Sequence, residues 1–164
     1  MRVTVLGSGS AGNATLVDSA GVSILIDAGF SGRDLENRIR LTGLEPDRLT
    51  AIVITHDHVD HTRGMGVLAR RFGVPLYLTR RTAAACRDLL NGEETVREYA
   101  SSGPFRIGPF DIRPFVTVHD AVDPVAITVQ HLETGTRLGV ALYLTRRTAA
   151  ACRVLLNGEE SVRE

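Results

Sequence analysis

The sequence predicts a mixed α/β (α+β) domain in which a mixed sheet is covered by helices. Three observations predict it. Short β-branched runs separated by Gly, Ser and Asn turns fill the first 27 residues. After them, strand-like runs alternate with amphipathic helical segments. The composition is that of an ordinary globular chain, with 43% apolar and 23% charged residues over a length of 164. That length fits a single domain over residues 1–164, at roughly 100–200 residues per domain.

Each element has a local reason. Residues 2–6 (RVTVL), 14–18 (ATLVD) and 22–27 (VSILID) are β-branched and read as strands joined in hairpins. Ser31 can cap a helix running to Leu41, with Leu35 and Ile39 inward and Gly43 as the stop. Residues 51–55 (AIVIT) are apolar throughout, which predicts a strand buried on both faces. Residues 64–72 predict a helix with Val67, Leu68 and Phe72 inward, ended by Gly73. Residues 74–78 form another strand, and a helix from Thr79 or Thr82 runs to Asn91-Gly92. Two short strands flank Gly108-Pro109 within 104–117, followed by strands at 125–130 and 138–144 and a last helix over 148–156.

Charge and composition remove several function classes. There are 19 acidic and 19 basic residues, a formal net charge of zero, which argues against a strongly basic nucleic-acid coat or a polybasic membrane binder. All 19 basic residues are Arg, so Schiff-base and Walker-type lysine chemistry is absent from these residues. No run approaches the roughly 20 apolar residues of a membrane span, and no membrane partner is expected. The first residues read as a strand rather than a signal peptide, and two Cys make no disulfide framework, so a reducing cytoplasm is the expected location.

An internal near-copy interrupts this pattern. Residues 71–98 and 137–164 align at an offset of 66 and differ at four of 28 positions: Phe72/Leu138, Pro75/Ala141, Asp88/Val154 and Thr95/Ser161. Solenoid repeats tile a chain with three or more copies, and these two lie far apart. Near-identity points to a recent duplication or recombination, natural or introduced.

Three of the five His fall within six residues, His56-Asp57-His58-Val59-Asp60-His61, directly after the apolar strand. In extended chain His56 and His58 point to one side and can reach one metal ion. Asp60 and His61 come after the chain turns and can face a second ion. Imidazole and carboxylate suit Zn2+, Mn2+ or Fe, and an incomplete shell of protein ligands leaves a catalytic position open. A solvated, Asp-rich helix start is the plainer alternative for the same hexapeptide.

The HxHxDH run after an apolar strand resembles the signature of the metallo-β-lactamase-fold hydrolases. Leu25-Ile26-Asp27-Ala28-Gly29 resembles that family's strand ending in an acid. Gly7-Ser8-Gly9-Ser10-Ala11-Gly12-Asn13 resembles the N-terminal SGSxGN stretch of the YycJ/WalJ-type exonuclease branch, and His119-Asp120-Ala121 its next ligand segment. The resemblance covers residues 1–141. It implies a four-layer αββα sandwich and a metal-dependent hydrolase, a phosphodiesterase or DNA exonuclease with a nucleic acid as substrate. It implies one or two ions of Zn2+ (or Mn2+), the first held by His56, His58 and His119, the second by Asp60 and His61. Asp27 would orient a ligand by hydrogen bond. Ser10 and Asn13 would contact a phosphate, although a plain Gly-rich turn explains residues 7–13 as well. Asp60 and His58 are the catalytic candidates, Asp60 also orienting the attacking water, whose pKa the ions lower. Asp57 reads as solvated or hydrogen-bonded to a ligand, and His131 as a surface residue. Arg63, Arg80 and Arg81, with Arg146 and Arg147, read either as a phosphate groove or as solvated helix ends.

The family pattern breaks where the second copy begins. A later strand should supply an Asp that bridges the ions, and a further His should complete the second site. After residue 141 no Asp follows, and no His follows His131. The second ion site is therefore expected to be incomplete, and so is the second half of the sandwich. That leaves two alternatives: a catalytically impaired metal-binding remnant, or a metallohydrolase of another substrate, such as a thioester or lactam. A sheet without neighbours would expose edges and apolar surface, predicting a homo-oligomer through those edges.

Overall fold

The computed structural model describes residues 1–140 together with 144–145 and 148–149. Its described strands form a six-stranded sheet, a four-stranded sheet and a two-stranded pair.

The larger sheet is built from β1 (Arg2–Gly7), β2 (Ala14–Ser19), β3 (Val22–Ile26), β4 (Leu49–Val53), β5 (Leu76–Thr79) and β6 (Val96–Tyr99), in that order. The first two pairings are antiparallel and the remaining three parallel. Parallel neighbours need crossovers, and helices supply them. Helix α1 (Gly32–Leu41) joins β3 to β4, with Ser31 Oγ accepting from the Asp34 N–H at 3.2 Å as its N-cap. The short α2 (Val59–Thr62) and α3 (Met65–Phe72) join β4 to β5, and Gly73 ends α3 at φ 66°. Helix α4 (Arg80–Ala85) follows β5.

The second sheet has the order β10 (Arg137–Val140), β9 (Val125–His131), β8 (Phe110–Val116), β7 (Phe105–Ile107), all antiparallel. Alternation along the central strands of the larger sheet feeds two cores. Leu25, Ile52 and Ile54 pack with Leu35, Ile39, Met65 and Leu68 beneath the helices. Ile24, Ile26, Ala51 and Val53 pack with Phe110, Ile112, Ile127 and Val129 between the sheets. The central strands are therefore buried on both faces, as the apolar run AIVIT predicts. The layers are helices, sheet, sheet.

Several sequence expectations are corrected. Helix α4 stops at Ala85, and a 3-10 turn over Arg87–Leu89 replaces its second half. The buried Cys86 anchors the break, and the Leu89 carbonyl lies against Gly66 of α3. In α3 the inward set is Met65, Leu68 and Ala69, the i, i+3, i+4 face, while Val67 is half exposed. The edge strand β6 has no counterpart in the expectations, because its exposed residues lack an apolar face. His131 is buried, its ring edge-on to Phe110, because it closes the inward row of β9. The outer face of the second sheet is polar rather than apolar, with Asp111 between Arg106 and Arg113. Phe115 is its half-exposed exception. Thr148–Ala149 pairs as a strand with Leu144–Thr145 where a helix is expected. The remainder of that 148–156 segment, and Arg146 and Arg147, lie outside the described residues.

Candidate metal centre

The parallel strands β3, β4 and β5 deliver their C-terminal ends to one edge of the larger sheet, where open α/β sheets gather ligands. Asp27 follows β3, Thr55 and His56 follow β4, and the exposed Arg80 and Arg81 follow β5. The connection between β8 and β9 reaches the same place. The Val125 N–H donates to the Thr55 carbonyl at 3.2 Å, which brings His119 over the loop after β4.

This loop is cross-linked through its backbone. The Asn13 N–H donates to the Asp60 carbonyl (2.8 Å), the Ala28 N–H to the His61 carbonyl (2.7 Å), and the Gly64 N–H to the Ala28 carbonyl (2.9 Å). Gly29 has no room for a side chain: a Cβ there would lie 1.6 Å from the Asp60 carbonyl oxygen. Asp27 sits at φ 61°, a left-handed conformation that is costly for most residues and tolerated best by Asn and Asp.

One ligand atom from each of His56, His58 and His119 converges, all within 4.8 Å of one another. The hydrogen bonds fix which nitrogen of His56 is free. His56 Nδ1 lies 3.0 Å from Thr55 Oγ1, whose own hydrogen goes to the Asp27 carboxylate at 2.9 Å, so His56 donates through Nδ1. Its Nε2 is then a bare lone pair, buried and without a hydrogen-bond partner. His58 Nε2 donates to the Asp120 carbonyl at 3.2 Å, and His119 Nδ1 faces the Asp120 carboxylate at 3.2 Å. His58 Nδ1 is then the acceptor of the 3.1 Å hydrogen bond with His119 Nε2, and an ion taken up there would replace the hydrogen that these two nitrogens share. Three convergent imidazoles, one of them with a buried nitrogen that has no hydrogen-bond partner, are a donor set that suits a divalent cation.

Electrostatics support the same state. Burial pushes the His56 imidazole down to about 3, helped by the neighbouring His61 charge. Burial, and then His58, also lower His119. Both rings are therefore neutral, as metal ligands must be.

His61 and Asp60 form a separate pair beside this triad. His61 lies under His56, with ring centroids 4.1 Å apart. Its Nδ1 donates to Asp27 Oδ2 at 2.8 Å, and Asp27 also accepts from the Thr55 N–H at 2.9 Å. Burial opposes protonation of His61, but the charge and hydrogen bond of Asp27 outweigh it and raise the pKa. Asp60 and the free Nε2 of His61 both face the Asn13 side chain.

The sequence-predicted residues thus separate. His56, His58 and His119 come together; Asp60, His61, Asp27 and Asn13 make the adjoining group. Ser10 is exposed in the turn before Asn13. Asp57 caps the neighbouring loop, its Oδ1 accepting from the Val122 N–H at 3.0 Å. Thr55 and Asp120 escape the sequence reading. Their only signal is position: Thr55 precedes HxHxDH, and Asp120 follows His119.

Comparison with known proteins identifies the family of the fold. Residues 7–151 match the model of the metallo-beta-lactamase superfamily. The chain is 34% identical over 129 residues to the exodeoxyribonuclease WalJ of Streptococcus pneumoniae, covering 75% of this chain and 47% of that protein. It is 33% identical over 127 residues to the exodeoxyribonuclease YycJ of Bacillus anthracis, covering 76% and 48%. The chain therefore spans about half the length of these curated relatives. Among solved structures, the metallo-beta-lactamase fold protein YhfI of Bacillus subtilis superposes with a TM-score of 0.70 at 24% identity, covering 84% of this chain and 59% of that one. Among the described residues no helix is long and apolar enough to cross a membrane. With most of its length matched to one family model, and with two stacked sheets that superpose on a solved member of that fold, this chain belongs to the metallo-beta-lactamase superfamily.

Proposed function

We propose that this chain is a metal-dependent hydrolase of phosphodiesters, with DNA ends as substrate. One observation carries the metal reading: the bare, buried Nε2 of His56 aimed at two further imidazole nitrogens. The nucleic-acid part rests on the two exodeoxyribonucleases at 33–34% identity.

His56, His58 and His119 are the residues that would hold the ion, Zn2+ or Mn2+ by the chemistry of the donors. A divalent ion bound there supplies a Lewis acid and brings the pKa of water to about 7. The chain's own residues do the rest. Thr55 and Asp120 fix the ring orientations. Asp60, with a side chain about one-sixth exposed, is the carboxylate that would orient an attacking water and accept its proton. Arg63, Arg80 and Arg81 are exposed at the same edge and can meet a phosphate backbone.

A second reading, a metal-binding unit with impaired catalysis, is favoured by a specific observation. Among the described residues the convergent set is three His, and Asp60 and His61 are engaged elsewhere. Incubating metal-loaded chain with 5′-phosphorylated duplex DNA separates the two. Nucleotide release that disappears in Asp60→Asn supports hydrolysis. Bound metal without nucleotide release supports the second reading.

A further inference from the structure

Asn13 stands against Asp60 and His61, a placement distinct from the phosphate contact that the resemblance implies. Its side-chain orientation is fixed. The Gly9 N–H donates to Asn13 Oδ1 at 2.9 Å, so the amide nitrogen must point the other way. Asn13 Nδ2 then has four acceptors within reach when the His61 ring is neutral, with its one hydrogen on the Nδ1 that faces Asp27: the Gly9 carbonyl at 3.0 Å, the Asp60 carbonyl at 3.3 Å, Asp60 Oδ2 at 3.1 Å and His61 Nε2 at 3.0 Å. Two amide hydrogens cannot satisfy four acceptors at full strength. The crowd is therefore rich in lone pairs, and two of them belong to Asp60 and His61, the pair that the family resemblance assigns to a second ion.

The backbone is shaped to deliver this amide. Gly9 and Gly12 adopt φ 134° and 154°, conformations that side-chain-bearing residues rarely take. The Gly12 N–H donates to the Gly9 carbonyl at 3.0 Å and closes the turn around Asn13. The Asn13 N–H and C=O are tied to the Asp60 carbonyl and the Gly29 N–H, at 2.8 and 2.9 Å.

We infer that Asn13 is a positioning residue whose amide occupies the cation's place between Asp60 and His61, holding both in ligand geometry without an ion and competing with any second ion for them. This deepens the metal reading of the neighbouring triad and rests on it for its metal-binding consequence. The metal-free consequence stands alone. The partial positive charge of the N–H hydrogens balances the Asp60 carboxylate and the His61 lone pair. Uptake of an ion by that pair requires the Asn13 amide to withdraw.

The test uses the full chain, Asn13→Asp and Asn13→Ala. Asn13→Asp keeps the acceptor for the Gly9 N–H but sets a second carboxylate beside Asp60. In chelator its melting temperature should fall by about 3 °C or more. Calorimetric titration with Mn2+ should then show a second equivalent bound about tenfold or more tighter than in the unaltered chain, with the melting temperature restored. Asn13→Ala, which adds no charge, guards against a variant that fails to fold. In its metal-free 15N spectrum the His61 Nε2 resonance should move away from its position in the unaltered chain. A His61 resonance unmoved in Asn13→Ala, or an Asn13→Asp chain that folds and titrates as the unaltered one does, overturns the inference. If no chain takes up Mn2+ at all, the metal reading of the triad fails. The His61 resonance then decides the role of Asn13 by itself.

Discussion

At the scale of single residues, the site depends on side chains that never touch a ligand. Thr55 is the clearest. It donates to Asp27 and accepts from His56, and so sets the tautomer of a ring that is wholly buried. Thr55→Val keeps the shape and removes both bonds. The expected result is a loss of about 1–3 kcal/mol in urea unfolding, with metal affinity down by about 10–100-fold. His56 also predicts a pH dependence. Its folded pKa of about 3 lies below the ordinary value of 6.5, so below 6.5 the unfolded chain binds a proton that the folded chain refuses. The metal-free protein should therefore lose stability as pH falls from 6.5 towards 3. His61 acts in the opposite sense. Its raised pKa favours folding at low pH and loses that contribution as pH rises through the folded value. His56→Gln should flatten the acid loss measured by urea unfolding in chelator at pH 7 and pH 5; an unchanged difference contradicts the assignment. The HxHxDH spacing makes His56, His58, Asp60 and His61 legible in the sequence, because ligand chemistry there is local. Thr55, Asp120 and the inward role of Asn13 are not legible, because their partners are set by folding. His131 misleads because a lone His has no periodic context.

At the scale of elements, local sequence and tertiary context compete. Arg71-Phe72-Gly73-Val74 closes helix α3, with Gly73 left-handed as its cap. Arg137-Leu138-Gly139-Val140, nearly the same residues, is strand β10, paired with Gln130 to Ile127. Leu138 is fully buried between the sheets, and this burial outweighs any local preference. The helix α1 and the strands β3 and β4 are legible because cap, period and apolar run all agree. The end of α4 is not, because the burial of Cys86 stops it rather than a sequence signal. The element most exposed to a single change is the turn after β3. Gly29→Ala forces its Cβ into the Asp60 carbonyl. We expect a loss of about 3 kcal/mol or more in urea unfolding, with metal binding lost alongside, since the shifted backbone carries Asp60 and His61.

At the scale of the whole molecule, two cores share one sheet, and the candidate site lies where the ends of both sheets meet. Fold class and the stacking of two sheets follow from alternation and the order of elements. The polar outer face of the second sheet does not follow from the motif. Edge strands remain: β1 and β6 bound the larger sheet. Because residues 71–98 supply β5, α4 and β6, and residues 137–164 nearly repeat them, we propose that two chains can exchange these segments. Size-exclusion chromatography with light scattering should show a dimer or larger species; a stable monomer at micromolar concentration contradicts this.

Metal content tests most directly whether the imidazoles of His56, His58 and His119 share one cation. Elemental analysis of untagged protein loaded with Zn2+ or Mn2+ and then desalted should give about one equivalent per chain. The metal should be lost in both His56→Ala and His119→Ala. Less than half an equivalent, or a full equivalent that survives both substitutions, would contradict it.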